Sequence, residues 1–378
     1  MYCMKLTDVR LNVITGDIDV TGELFKDYPP TLRLEELTSR IMSDRHRFKG
    51  CTTELASRFL RSIALARRYN PVLEAIQACE WDGRDRVAEV YSILNLPDDD
   101  DLSRVLVLKW FYQTVLLLEN PDDAPYGADG MLVLCGCQGV GKTSLLRTLA
   151  MRTEWFGEGC HIDPNDKDTI IQITKCWIAE LGEIESTVTA KNINNIKAFV
   201  TNSTDRYRRP YASKADDNTR HTSLCATCNT TDFLVDQTGN RRFWTVPVEK
   251  IDLDALSRLD ALQLWAQVYG ECHGKPNSFR LTPSERTQLE ERNGKHLEMM
   301  KGEAEVRDIL MRGEERPETK AWVTVTEFVE SHPGLSRKYS SATIGKVLTK
   351  LGIPEERDKH GRRRYLPILN PAALTEKW

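Results

Sequence analysis

No stretch of the chain approaches the roughly 18–20 uninterrupted apolar residues of a membrane helix. The opening "MYCMKLTDVRLNV" lacks the basic-then-apolar order of a secretory signal, so the expected location is the cytoplasm. Framework spacing is missing among the ten cysteines, and free thiols in a reducing compartment are expected in place of disulfides. Cys225 and Cys228 in "LCATCN" have a metal-ligand spacing, but no second pair and no clustered histidines complete a zinc site; a strand carrying two small residues is the simpler reading. Excess positive charge is missing as well. Lys and Arg number 52 against 56 Asp and Glu, a net charge of −4, which argues against a polycationic coat on nucleic acid and leaves room for local basic elements. Internal repeats and low-complexity segments are absent.

What is present reads as an ordinary globular composition long enough for two to three domains. Over residues 1–118, "RLEELTSRIMSDRHRF", "TTELASRFLRSIALARRY" and the runs after them carry apolar residues at three-to-four spacing, predicting a largely helical N-terminal region. "NLPDDDD" is a surface turn, and "ENPDDAPYGADG" is a linker into the next region. Residues 119–250 alternate short β-rich runs with helical ones, the mark of an α/β domain; "MLVLC", "CWIAEL", "TSLCATCN" and "RRFWTVPV" are its expected strands. Residues 251–315 return to helix, and 316–378 read as two helices followed by a hairpin turning at His360-Gly361.

One stretch carries the chemistry. In "GADGMLVLCGCQGVGKTSLLRTLA", an apolar run tips into a glycine-rich turn and then an amphipathic helix. Gly136, Gly139, Val140, Gly141, Lys142, Thr143 and Ser144 form a GxxxxGK[ST] loop, whose glycines let backbone N–H groups face phosphates. Lys142 would neutralise β- and γ-phosphate oxygens, and Thr143 would offer its hydroxyl to Mg²⁺, so ATP and Mg²⁺ are the expected ligands. A metal-bound triphosphate needs acids at a neighbouring strand end; "KCWIAELGEIES" offers Glu180 and Glu183, with either able to hold the metal or polarise water. Two solvated carboxylates on a turn are the bland alternative. Asn229, closing the strand "SLCATCN", can both donate and accept, as an orienting group for attacking water must; asparagine after a strand is also plain turn chemistry. Arg241 and Arg242 follow a Gly-Asn turn, and are either solvated charge or a finger aimed at a neighbouring subunit's γ-phosphate.

Two basic elements stand apart from the overall charge. "RYRRPYASK" packs Arg206, Arg208, Arg209 and Lys214 around Tyr207 and Tyr211, a mixture suited to the phosphates and bases of a single strand. A solvated loop paired with nearby acids, or service of Arg206 at the nucleotide site, are the competing readings. "RDKHGRRRYLP" holds Arg357, Lys359, Arg362, Arg363 and Arg364 after two short helices, like the wing of a winged-helix module reaching duplex DNA. The helix before it, "SSATIGKVLTKL", has only Lys346 and Lys350, which suits positioning more than base reading.

Together, "YNPVLEAIQACEWDGRDRV", "GCQGVGKTS", "WIAELGEIE", "DRYRRPYASKA" and "CATCNTTDFLVDQTGNRRFWTVPV" resemble the virulence-associated protein E family over about residues 70–290. These phage- and island-borne ATPases are similar to superfamily three helicases of the AAA+ group. The resemblance implies an AAA+ core in a homo-oligomeric ring, a hexamer, with ATP between subunits and single-stranded DNA in a central channel. It implies Walker A roles for Lys142 and Thr143, Walker B roles for Glu180 and Glu183, a sensor role for Asn229 and a trans-acting role for Arg241 or Arg242. It also places a DNA-gripping hairpin between Lys191 and Lys214. The expected function is an ATP-driven DNA translocase or helicase in mobile-element replication, with priming supplied by another chain and the N-terminal helices serving as a collar. The competing readings are an ATP-switched winged-helix regulator, a remodelling ATPase without unwinding, and, weakest, a small-molecule kinase.

Overall fold

Five short strands form the centre of the larger unit, four of them buried at nearly every position and so covered on both faces. In the computed structural model, which describes residues 7–44, 49–162, 166–184, 193–207, 216–229, 240–294, 302–315, 319–358 and 361–368, the chain divides into two compact units, Met1–Leu297 and Glu298–Trp378. The first begins with strands β1 (Asp8–Asn12) and β2 (Ile18–Thr21), helices α1 (Arg33–Ser43) and α2 (Thr53–Ala66), and the two-residue β3 (Arg68–Tyr69). Helices α3 (Pro71–Gln77), α4 (Arg86–Ile93) and α5 (Asp101–Leu116) follow. Then come β4 (Met131–Cys135), α6 (Lys142–Leu149), β5 (Phe156–Cys160), α7 (Lys167–Thr174), β6 (Ile178–Leu181) and α8 (Ile193–Thr201). A ribbon of β7 (Thr204–Tyr207) and β8 (Asp216–Thr219) leads to β9 (Ser223–Cys228) and β10 (Phe243–Pro247), and α9 (Leu253–Ser257), α10 (Ala261–Cys272) and α11 (Pro283–Gly294) close the unit.

The central sheet is wholly parallel, in the order β10-β4-β9-β6-β5. Alternate residues of its strands enter two cores. Leu132, Leu134, Ile178, Cys225 and Trp244 join the cluster with α5 and α10, while Met131, Val133, Ala179, Leu224 and Phe243 join the one with α8. Helix α5 is buried on most of its surface, and four large indoles each find a carbonyl, as buried tryptophans must: Trp110 donates to Leu224 O, Trp177 to Thr114 O, Trp244 to Arg241 O and Trp265 to Leu149 O. Helix starts follow ordinary capping chemistry, with Thr52, Asn70, Asp85, Asp100, Asp252 and Asp260 each accepting from a first-turn N–H.

The α/β expectation and all four expected strands are met. Strand β5 was not expected, because "FGEGC" carries two glycines and little apolar periodicity. The N-terminal region is mostly helical but also contains the sheet β2-β1-β3; β3 is only two residues long and its pairing with β1 joins segments far apart in sequence, so no local pattern announces it.

The second unit holds α12 (Glu303–Glu315), β11 (Lys320–Val323), α13 (Val325–Ser331), α14 (Pro333–Ser336), α15 (Ser341–Lys350), β12 (Glu356–Asp358) and β13 (Gly361–Pro367). Its antiparallel sheet runs β11-β13-β12, and its core gathers Val306, Val323, Phe328, Ile344, Val347, Leu348 and Leu366. The unit boundary divides the helical run expected over 251–315, since Val306, Ile309 and Leu310 of α12 pack in this second core. A hairpin turn was expected at His360-Gly361; Gly361 is already in β13 and pairs with Asp358, and residues 359–360 lie outside the described residues. Among the described residues no helix is long and apolar enough to cross a membrane.

Candidate functional site

Strand β4 delivers the glycine-rich loop to the carboxyl end of the sheet. The backbone beyond it is fastened on both sides: Gly136 N–H donates to Cys228 O at 3.1 Å, and Val248 N–H donates to Cys135 O at 2.7 Å. A Cβ on Gly136 would lie 1.9 Å from Val248 O, so only glycine lets the chain leave the sheet there. Gly139 (φ 83°) and Gly141 (φ 99°) take the left-handed conformation that suits glycine. Helix α6 starts at the next residue, and the unpaired N–H groups of its first turn, with Val140 and Ser144 flanking, make an anion-binding end.

Lys142 is buried, and its ammonium donates to Gly136 O (2.6 Å), Cys137 O (2.8 Å) and Asn229 Oδ1 (3.4 Å). Thr143 Oγ1 donates to Glu180 Oε1 at 2.7 Å, and Thr227 Oγ1 donates to the same oxygen at 3.0 Å. Glu180 is only 1% exposed; a carboxylate so deep requires such donors. Strands β4, β9 and β6 are consecutive in the sheet, so residues 87 positions apart in sequence meet at one end of it. Glu183 lies two residues past β6, exposed, at φ 48°. The structure therefore gathers Lys142, Thr143, Glu180 and Asn229, with Glu183 on the turn beyond.

Two side chains without a role in the sequence reading border this group. Thr227 opens the Thr-x-Asn pattern of β9, and alternation along the strand turns it to the Glu180 side. Leu253 is 51% exposed, and its Cδ2 stands 2.8 Å from where a Gly141 Cβ would be; the buried Ile251 lies 3.6 Å from the same point. In sequence "IDL" reads only as a helix start, with Asp252 capping α9. The apolar ledge exists because the segment after β10 folds back over the loop.

Arg241 and Arg242 stand on a single turn, Asn240–Arg242, just before β10. Phe243 pairs with Met131 and Pro247 with Cys135, which sets the arginines at the opposite end of the sheet from the loop of their own chain, roughly 20 Å away at strand rise. The structure does not bring them to Lys142. The turn is clamped from α11: Asn293 donates to Asn240 O (2.8 Å) and Phe243 O (2.9 Å) and accepts from Thr245 Oγ1 (2.8 Å).

The ribbon β7–β8 also rises from the amino-terminal end of the sheet, since β8 feeds directly into Ser223, the first residue of β9. Its base is tied by a buried pair in which Arg220 donates to both oxygens of Asp205 and to Phe199 O. Asn218 adds donations to Asp205 O and Tyr207 O. Arg206 is exposed and Tyr207 buried; Arg208, Arg209, Tyr211 and Lys214 lie outside the described residues.

Cys225 and Cys228 point into opposite cores, and burial pushes the Cys225 thiol well above its ordinary range. They cannot share a metal, and among the described residues no three His, Cys, Asp or Glu cluster as a metal site.

In the second unit Arg362 is exposed and pairs with Glu355 at 3.4 Å, and Arg363 is half-buried. Arg364 corrects the expectation of a DNA contact. It is 5% exposed, and its guanidinium donates to Ile353 O, Thr349 Oγ1 (2.8 Å) and Glu355 Oε2 (3.1 Å). It is a strut between β13 and α15, because the alternation of β13 turns every second residue inward.

A parallel sheet with a glycine-rich strand–loop–helix beside its central strand, and polar side chains gathered where the strands end, defines an α/β protein with its crevice in the usual place for that class. The family model described as the virulence-associated protein E-like domain matches residues 76–298, and the chain belongs to that family. The solved apo structure of the NrS-1 C-terminal region (305–718) is similar, with TM-score 0.53, 12% identity and 97% of each chain covered. An A-form apo structure of the same C-terminal region gives TM-score 0.50 at 12% identity, covering 97% of this chain and 98% of that one. These likenesses show a shared fold. No curated protein matches the chain.

Proposed function

We propose that this protein is an ATP-driven DNA translocase or helicase, a ring-forming replication motor of a phage, prophage or genomic island. The reading gives it an AAA+ core and a winged-helix-like second unit. The observation that carries it is the convergence of Lys142, Thr143, Glu180 and Asn229 at the ends of three adjacent parallel strands. A glycine with no room for a Cβ at 136, left-handed glycines at 139 and 141, a helix N-terminus and a buried lysine satisfied by loop carbonyls fit a triphosphate. In this reading Lys142 exchanges those carbonyls for phosphate oxygens. The Thr143 hydroxyl and the Glu180 carboxylate are hard oxygen donors suited to Mg²⁺, an ion that neutralises charge developing on the transferred phosphoryl group. Asn229 orients the attacking water, and Glu183, not committed to Thr143 as Glu180 is, takes its proton. The Leu253 ledge receives the base.

Arg241 and Arg242 stand too far from their own loop to serve it, which supports a trans role across a head-to-tail interface. The ribbon β7–β8 leaves the sheet at that same end, and the reading gives Arg208, Arg209, Tyr211 and Lys214, which follow β7 in sequence, a single-strand grip in a central channel. Duplex contact by the second unit rests on Arg362 and Arg363. The test is ATP hydrolysis by the purified protein with and without single-stranded DNA, beside Lys142→Ala. Turnover that DNA stimulates and Lys142→Ala abolishes is expected. Turnover indifferent to nucleic acid would sink the motor and favour an ATP-switched regulator.

A further inference from the structure

Strand alternation should turn the large apolar residues of a three-stranded sheet inward and leave polar ones outside. In β11 and β13 that rule holds on the core side, where Val323 and Leu366 are buried. It fails on the outer side. Trp322 and Tyr365 face each other across the β11–β13 ladder, 43% and 47% exposed, with ring centroids 5.7 Å apart and planes tilted by 44°. Neither ring is needed to fill the core, which closes on the opposite face with Phe328, Ile344, Val347 and Leu348. Two more outward positions of the same strands are cationic. Lys320 precedes Trp322 by two residues on β11, and Arg363 precedes Tyr365 by two on β13, so both share the face of the rings. Glu356, opposite Arg363, and Asp358, opposite Gly361, are acidic positions on the same face.

We propose that this outer sheet face is a stacking platform for single-stranded nucleic acid. The ring pair can stack on unstacked bases, and Lys320 and Arg363 flank it on opposite sides along the strands, where the phosphates on either side would pass. A duplex keeps its bases inside its own stack and presents nothing for the rings to hold, so the occupant is a single strand. The site differs from the surface expected at the outset in using the two rings of the sheet face and not helix α15; of the three arginines only the half-buried Arg363 shares that face by strand register. It extends the DNA-motor reading without depending on the phosphate loop.

The test titrates the full-length protein with a fluorescently labelled oligothymidylate and, separately, a labelled duplex of equal length at one salt concentration. Trp322→Ala/Tyr365→Ala should weaken single-strand binding by about 10-fold or more, since each base–aromatic stack contributes that order. Duplex binding should hold, and Trp322→Phe/Tyr365→Phe should restore single-strand affinity to within about 3-fold, because a phenyl ring still stacks. Undiminished single-strand binding by the alanine pair, or no rescue by the phenylalanine pair, would overturn the platform. A measurement on the unaltered protein guards against misfolding: photo-crosslinking to a bromodeoxyuridine-substituted strand should label the peptide holding Trp322 or that holding Tyr365. Adducts confined to other peptides would overturn it too. ATP turnover without DNA, read on the same samples, reports the phosphate loop alone and separates failure of this inference from failure of the motor reading.

Discussion

At the scale of single residues, the candidate site is a set of polar groups each kept in place by one or two others. Glu180 is almost fully buried, and Thr143 and Thr227 share its Oε1. Leu253 is the opposite case, an exposed apolar side chain beside a loop built for charge. Its ledge suits an aromatic base and offers nothing to phosphate. If ATP binds as proposed, Leu253→Ala is therefore expected to raise its KM about 10-fold, the lower end of the roughly 1.5–3 kcal/mol for a buried leucine. Competition by inorganic tripolyphosphate, which has no base, should be unchanged. Equal weakening of both would remove the ledge from the base and return it to loop packing. That Lys142, Thr143, Glu180 and Asn229 meet was legible beforehand, from the GxxxxGK[ST] spacing and the polar residues at the neighbouring strand ends. Leu253 and Thr227 were not, because a leucine at a helix start and a threonine in a strand carry no signature until neighbours are assigned.

Among elements, β9 joins the two ends of the sheet. Its first residues follow the β7–β8 ribbon, and its last ones carry Thr227 and Asn229 to the loop. The Asp205–Arg220 pair fixes the ribbon to the start of that strand, with both side chains almost fully buried. Removing one partner leaves an uncompensated buried charge, so Arg220→Met should lower stability by about 3–5 kcal/mol, whereas Arg220→Met with Asp205→Leu should recover most of the loss. Urea unfolding of the two variants checks this; a single variant as stable as the parent would show that water reaches the site. The ribbon's sequence announced a basic, aromatic loop, but the ion pair that anchors it was invisible, since Asp205 and Arg220 are ordinary charged residues 15 positions apart. Arg364 errs the other way. Three consecutive arginines look alike in sequence, and only the pleat of β13 decides that the third faces the core.

For the whole molecule, the separation of Arg241 and Arg242 from their own phosphate loop matters most. If those arginines complete a neighbour's site, Lys142→Ala and Arg241→Ala/Arg242→Ala are each inactive alone. Mixed after subunit exchange, they should regain ATP turnover, because about a quarter of head-to-tail interfaces then pair an intact loop with intact arginines. No recovery at any mixing ratio would confine the arginines to their own chain.

The sequence by itself determined what local chemistry can specify. The turn and helix of the loop follow from the spacing of its glycines and the run after them, the four expected strands from their short, mostly apolar runs, and the family from motifs kept in order, matched over residues 76–298. Only the tertiary structure decided which ends of those strands lie together. It assigned Glu180 rather than Glu183 to Thr143, set the arginine turn at the far end of the sheet, moved α12 into the second unit, and turned Arg364 inward while leaving Trp322 and Tyr365 outside. The physical reason is common to all of these. Strand order and pleat phase are set by burial across segments distant in the chain, and no window of sequence contains both partners.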